Sequence, residues 1–338
     1  MESRHAFVGR SDFHWQLVQV PRRYLWFFAL ICFPLIAQSH SFAMDTSGDA
    51  GLSRGRLMLL GGGKMPPEIR NLFFQLAGAE NARIVLIPTG SQDAESPEFI
   101  ENFLEPWRQY SPQSIVVLHA RDRCQANDPD FLRPLREATA VWIGGGVQSR
   151  LADRYVGTEV ETELQNLLGR DGIIAGTSAG AAVMTRVMIA DGLKQPVIAT
   201  GLDLFQGAIV DQHFTQRYRM ARLIRAVQMH PGRIGVGIDE GTGLLVQSNG
   251  GQVLGKGRVR LIVAMQGSNS SALPLLVRDY NSGETVSLDL WCEATAKTMQ
   301  TELVGHAASH VALEMQSRIA PSLTYSFTPD ASVITKNR

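Results

Sequence analysis

The stretch Gly172-Ile173-Ile174-Ala175-Gly176-Thr177-Ser178-Ala179-Gly180-Ala181-Ala182-Val183-Met184 decides the reading of this chain. A short apolar strand runs into a sharp turn carrying a serine, and small helix-compatible residues follow. That is the G-x-S-x-G nucleophile elbow, in which a strained turn lifts the hydroxyl to the carboxyl end of a sheet. Glycine and alanine around Ser178 leave room for that turn and let backbone N–H groups from the helix start point at the same place.

A serine alcohol is a weak nucleophile until a base takes its proton, and the base needs a third group to orient it. Two further strand ends supply candidates. Gly207-Ala208-Ile209-Val210 leads into Asp211-Gln212-His213, and Gly235-Val236-Gly237-Ile238 leads into Asp239-Glu240. Serine, histidine and acid thus follow strands, where an open α/β sheet collects its ligand site. Residue spacing alone leaves the acid open between Asp211, Asp239 and Glu240. A third turn, Gly144-Gly145-Gly146-Val147-Gln148 after Val141-Trp142-Ile143, brings backbone close to a substrate. The N–H groups of Gly145 and Gly146, with that of Ala179 from the elbow, are candidate donors to a tetrahedral oxyanion. One such donor contributes roughly 2.7–4 kcal/mol to transition-state stabilisation.

These residues resemble the cyanophycinase branch of the peptidase S51 family over roughly residues 54–265. The resemblance rests on Leu59-Leu60-Gly61-Gly62-Gly63, Ile87-Pro88-Thr89, the Gly144–Gln148 turn, the Ser178 elbow, the segment from Asp211 to Leu223, and Gly237-Ile238-Asp239-Glu240. Val147 stands where a polar residue is more usual in the family, and Gly241 where Asn is common. The resemblance implies a class I glutamine-amidotransferase-like (flavodoxin-like) α/β fold. It also implies a serine exopeptidase working through an acyl-enzyme, with Ser178 as nucleophile, His213 as base and Glu240 as orienting acid. The substrate it implies is cyanophycin, a poly-aspartate chain whose β-carboxyls carry arginine, cut to β-Asp-Arg dipeptides. Gln148, Asp211, Gln212, Arg217, Arg219 and Arg222 are carried over as substrate-binding residues, the arginines as bidentate forks for aspartate carboxylates. An aspartyl or isoaspartyl dipeptidase of the same family, or a non-catalytic binder of aspartate-rich chains, are the competing readings. No metal or organic cofactor is implied.

The first 43 residues read as a signal peptide rather than as part of the fold. Arg22-Arg23 precedes an apolar run, Leu25–Ala37, too short to span a bilayer comfortably, and Ser41-Phe42-Ala43 gives a small-x-small cleavage site. The expected product is exported, periplasmic or extracellular, with no stable membrane insertion after cleavage. Of 32 basic and 32 acidic side chains, 4 and 2 lie in residues 1–43, so the remainder carries 28 and 30. Near neutrality argues against a general nucleic-acid or membrane-surface protein, and a homodimer is compatible with the composition. Cys124 and Cys292 stand far apart, open to a disulfide or to two thiols, and no spacing suggests structural zinc.

From Arg56 short apolar runs alternate with longer amphipathic stretches. Strands are expected at 57–60, 84–87, 115–118, 141–143, 173–175, 208–210 and 235–238, with helices at 66–76, 97–109, 131–139 and 158–168. Continuously apolar strands with helical connectors predict a mainly parallel sheet flanked by helices. After Glu240 five strand-like runs separated by Asn249-Gly250-Gly251 and Asn281-Ser282-Gly283 predict hairpins. They form a β-rich extension within a catalytic domain of 54–292. Residues 293–338 carry no usable motif and stay unassigned. Gly61-Gly62-Gly63-Lys64 lacks the spacing of a phosphate loop and reads as a tight strand–helix connection.

Overall fold

Strands that are apolar on every residue need cover on both faces, and the chain provides it. A computed structural model describes residues 55–248, 250–264, 274–288 and 291, with the backbone of 323–326 and 335–336. The proposed leader at 1–43, Cys292 and most of the C-terminal tail lie outside the described residues. The first half runs β1 (Arg56–Leu60), α1 (Pro67–Leu76), β2 (Arg83–Ile87), α2 (Pro97–Leu104), β3 (Ser114–Val117), α3 (Pro129–Glu137), β4 (Ala140–Ile143), α4 (Gln148–Tyr155), α5 (Glu159–Gly169), β5 (Ile173–Thr177) and α6 (Ala179–Ala182). The second half runs β6 (Val187–Asp191), β7 (Val197–Thr200), β8 (Ala208–Asp211), α7 (Met220–Met229), β9 (Ile234–Ile238), β10 (Thr242–Gln247), β11 (Gly250–Gly255), β12 (Arg258–Ala264), β13 (Pro274–Asn281), β14 (Thr285–Ser287), β15 (Leu323–Ser326) and β16 (Thr335–Lys336).

The central sheet has the order β14-β11-β10-β1-β5-β4-β2-β3. Its strands β1, β5, β4, β2 and β3 are parallel, and β10 and β11 add an antiparallel hairpin beside β1. Leu57 and Leu59 pack with Leu132, Leu151, Tyr155 and Leu164 from α3, α4 and α5. Met58 and Leu60 point the other way, to Ile69 and Phe73 of α1 and to Trp107 and Trp142. Period-two alternation of a wholly apolar strand between two helix layers is what a covered parallel sheet requires.

The expected architecture needs one correction. β8 and β9 were expected in the parallel sheet but belong to a second one, ordered β16-β15-β13-β12-β9-β8, in which they are the parallel pair. Beside β1 the main sheet carries β5 on one side and the antiparallel β10 on the other, so β8 and β9 do not pair there. β15 and β16 extend this second sheet from the stretch that carried no motif. The helix expected at 97–109 stops at Leu104 and tightens into a 3-10 turn, Glu105–Trp107. Pro106 has no N–H to donate to an α-helical bond, so the ladder cannot continue unchanged through it. Helix α4 and the β6–β7 hairpin were not anticipated.

Two sheets place the functional strand ends differently from one. Ser178 follows β5 of the central sheet, and His213 follows β8 of the second. Glu240 sits on the three-residue corner where the chain crosses from β9 of one sheet to β10 of the other.

Candidate active site

The loop after β1 ties the three strand ends together. Ser178 N–H donates to the Leu60 carbonyl at 2.9 Å, His213 N–H to that of Gly61 at 2.8 Å, and Gly241 N–H to that of Gly62 at 2.9 Å. Three successive carbonyls thus hold the elbow, the histidine and the acid corner. Ser178 itself has φ 52° and ψ −114°, and His213 has φ 47°. Non-glycine residues in this region are costly and persist only where the surroundings over-determine them. On the elbow, a Cβ at Gly180 would lie 2.3 Å from the Ile143 carbonyl oxygen, so only glycine permits the first turn of α6 to sit on β4.

The side chains then line up. Ser178 Oγ lies 2.7 Å from His213 Nε2, and His213 Nδ1 lies 2.6 Å from Glu240 Oε1. A carboxylate only accepts, so Nδ1 carries the proton and Nε2 keeps its lone pair toward the serine hydroxyl. Burial lowers the His213 pKa below the ordinary value; the hydrogen bond and charge of Glu240 oppose this, while Arg217 and Arg219 add to the lowering. Neutral imidazole is therefore the form held ready at neutral pH, which is what a general base needs. Asp239, the competing acid, is 4% exposed. Its carboxylate accepts from the N–H groups of Thr215 at 3.0 Å and Arg258 at 3.3 Å, so it braces the chain around His213 rather than the imidazole.

Gly62 and Gly63 were expected only to turn a corner, and they do more. At Gly62, φ +87°, a Cβ would stand 2.5 Å from both Cε1 and Nε2 of His213; at Gly63 it would stand 2.8 Å from Cβ of Glu240. The imidazole and the carboxylate lie directly on this glycine backbone. Gly62→Ala should therefore displace the imidazole and lower kcat by roughly a hundredfold, the scale of a 1 Å misplacement. Stability should fall by about 1 kcal/mol for the left-handed backbone. Steady-state rates with thermal unfolding check this, and an unchanged kcat would mean that the ring has room to shift.

The glycine turn Gly144–Gly146 closes the other side. A Cβ on Gly145 would fall 3.4 Å from Cβ of Ser178. The N–H groups of Gly145, Gly146 and Ala179 find no acceptor among the described residues.

The expected substrate-binding set divides sharply. Arg217 is exposed and Arg219 half-buried, whereas Asp211, Gln212, Arg222 and Gln148 are interior, at 0, 3, 3 and 9% exposure. Arg222 grips both carboxylate oxygens of Asp211, at 2.7 and 2.5 Å, and its remaining arm donates to the Gly192 carbonyl at 2.6 Å. Arg219 bonds Asp211 at 3.3 Å, the Gln212 carbonyl at 2.7 Å and the Gln212 side chain. The Gln148 amide donates to the carbonyls of Ile189 and Ala190 in β6 at 2.9 and 2.8 Å. Asp211, Gln212, Arg222 and Gln148 were expected to hold substrate; here Asp211 and Arg222 pair with each other, Gln212 Oε1 accepts from Arg219, and Gln148 Nε2 reaches the β6–β7 hairpin. Burial raises the Asp211 carboxyl above its ordinary value and the two guanidinium groups oppose that rise. Burial also lowers Arg219 to about 10, which leaves it charged at neutral pH. Two arginines on one aspartate leave net positive charge, and Arg217, which is exposed, adds to the positive field at His213.

The titration has a testable sign. Only the unprotonated imidazole accepts the serine proton, so activity falls as pH drops through the His213 pKa, and the acid limb of kcat/KM lies below the ordinary histidine value of about 6.5. Arg217 contributes to the lowering. Arg217→Gln should therefore move that limb to higher pH, and a limb that stays put or moves down would remove Arg217 from the field at His213.

Comparison with known proteins adds to this geometry. The family model for peptidase family S51 matches residues 57–254. A cyanophycinase of Trichormus variabilis is 39% identical over 205 residues, covering 58% of this chain and 68% of that one. A cyanophycinase of Geminocystis herdmanii is 34% identical over 222 residues, covering 62% and 80%. The crystal structure of a peptidase from an acI-B1 Actinobacterium superposes with a TM-score of 0.55 at 22% identity, over 71% of this chain and 98% of that one, a likeness of fold. The match begins at the second residue of β1 and ends in β11, so it takes in every strand end described above, and the chain belongs to peptidase family S51, a family of serine-type peptidases.

Proposed function

We propose that this chain is an exported exopeptidase of cyanophycinase type, which hydrolyses cyanophycin to β-Asp-Arg dipeptides through Ser178, His213 and Glu240. The observation that carries the reading is the unbroken line Ser178 Oγ, His213 Nε2, His213 Nδ1, Glu240 Oε1, with contacts of 2.7 and 2.6 Å. Ser178 Oγ attacks the scissile carbonyl carbon while its proton passes to His213 Nε2. The charge that develops on the carbonyl oxygen meets the N–H groups of Gly145, Gly146 and Ala179. Imidazolium, stabilised by Glu240, returns the proton to the departing amine, and water then cleaves the acyl-enzyme by the same path. The positive charge of Arg219 and of exposed Arg217 near His213 supports a substrate rich in carboxylates. The cyanophycinase relatives support the polymer as substrate. Export rests on Arg22-Arg23, the apolar run to Ala37 and Ser41-Phe42-Ala43.

The burial of Arg222 with Asp211 favours a second reading, a dipeptidase for small isoaspartyl or aspartyl peptides, because fewer arginines face outward than a polymer groove was expected to use. One experiment separates the two. Protein recovered from its native host is sequenced at its N-terminus and incubated with insoluble cyanophycin and with free β-Asp-Arg, the products being read by mass. Soluble β-Asp-Arg released from the polymer and an N-terminus near Met44 support the first reading. Cleavage of the free dipeptide with the polymer untouched selects the second, and intact residues before Leu25 rule out cleavage of a leader.

A further inference from the structure

Beyond the triad, a second line of hydrogen bonds runs through the interior beside the glycine turn. Ala120 N–H donates to the Tyr155 hydroxyl at 3.2 Å, that hydroxyl lies 2.6 Å from Thr89 Oγ1, and Thr89 Oγ1 lies 2.9 Å from His119 Nδ1. Tyr155 and Thr89 are 1% and 0% exposed. The line has a direction. With Ala120 occupying the phenol oxygen as donor, the Tyr155 proton finds its acceptor in Thr89, and the Thr89 proton is then free only for His119. Nδ1 must accept it, so His119 carries its own proton on Nε2, which faces Glu95 Oε1 at 3.7 Å. Reversing the line would leave the phenol proton of Tyr155 without an acceptor among the described residues, the costly case for a buried hydroxyl.

Thr89 sits on the turn that the glycine loop leans on. Gly144 N–H donates to the Ile87 carbonyl and Val147 N–H to that of Gly90, both at 2.8 Å. A Cβ on Gly90 would stand 2.7 Å from the Gly145 carbonyl oxygen, and one on Gly146 2.1 Å from that of Gly90. The two backbones are in direct contact, and Gly145 in turn lies against Ser178. We propose that Thr89, His119 and Tyr155 are positioning residues, whose one-way relay sets the turn Pro88–Gly90 and through it the N–H groups of Gly145 and Gly146 beside Ser178. The role in turnover rests on the peptidase reading given above; the direction of the relay does not.

A consequence follows for acid. Protonated His119 donates from both nitrogens, so Nδ1 can no longer accept and the relay must break. Burial, with Arg150 and Arg121, works against that protonation, while Glu95 favours it. Arg121 is itself drawn to Glu95 at 3.3 Å, and Arg150 donates to the Thr89 carbonyl at 3.4 Å.

The test compares Thr89→Val, which keeps the shape and loses the hydroxyl, with Thr89→Ser, which keeps the hydroxyl. Thr89→Val should lower kcat on cyanophycin by roughly ten- to a hundredfold with KM little changed, below or near the effect of a 1 Å misplacement, and Thr89→Ser should restore most of it. Tyr155→Phe, which removes one oxygen and keeps the ring, should lower kcat in the same direction if Thr89→Val fails to fold. Independently of turnover, nitrogen-15 spectra of the Ser178→Ala protein at neutral pH should show His119 protonated on Nε2. A His119 protonated on Nδ1 overturns the relay, as does wild-type kcat in both Thr89→Val and Tyr155→Phe. If Ser178→Ala itself retains activity, the peptidase reading has failed instead, and the tautomer still decides the relay's direction.

Discussion

Ser178→Ala should fold as the wild type does and lose at least ~10³-fold in hydrolysis. The fold survives because the interactions that shape the elbow are made by backbone and by glycine. Ser178 N–H on the Leu60 carbonyl persists, and alanine meets the same positive φ that serine already occupies. The chemistry does not survive, because His213 Nε2 then faces a methyl group where it faced the Ser178 hydroxyl at 2.7 Å. Whatever rate remains would reflect binding and the oxyanion donors alone, as in other triads with one member removed. Circular dichroism alongside the rate assay separates loss of nucleophile from loss of fold. A folded, uncontaminated variant that kept most of its activity would place the nucleophile elsewhere.

Much of the site is legible in the chain because it depends on local pattern. An apolar run, a small-residue turn and a serine define the elbow, and histidine and glutamate after further apolar runs mark strand ends wherever those strands go. The choice between two sheets is not legible. Ala208–Val210 and Gly235–Ile238 are equally apolar in either, and it is the pairing of β9 with β12 that places them in the second sheet. What Gly62 touches is illegible for a different reason: a glycine has no side chain to pattern, and its contact is with a histidine about 150 residues away in sequence that only the fold brings near. The Thr89 relay joins partners 30 and 66 residues apart, beyond any periodicity. The partners of the arginines are not legible either. Spacing of i, i+3 places Arg219 and Arg222 on one side of a helix start, but it says nothing of what that side meets, and it meets Asp211.

That pairing yields the other large effect. Arg222→Ala should destabilise the fold by about 3–5 kcal/mol, the cost of breaking a buried ion pair from one side, and so a large part of the roughly 5–15 kcal/mol that holds a typical domain. Asp211 is fully buried and would lose its bidentate partner, keeping, among the described residues, the longer bond from Arg219. The Gly192 carbonyl would lose its donor too, and with it one of the ties between α7 and the β6–β7 turn. Arg217→Gln should behave in the opposite way. Its guanidinium is exposed, so stability should hardly change, while KM for an aspartate-rich polymer should rise and kcat, measured well above the acid limb, should stay close to wild type. Loss of binding that is alike in ground and transition states appears in KM. Chemical denaturation and steady-state kinetics on the two variants settle which arginine serves the fold and which the substrate. An Arg222→Ala protein of wild-type stability but weakened polymer binding would return that arginine to the substrate surface and require Asp211 to find another counter-charge.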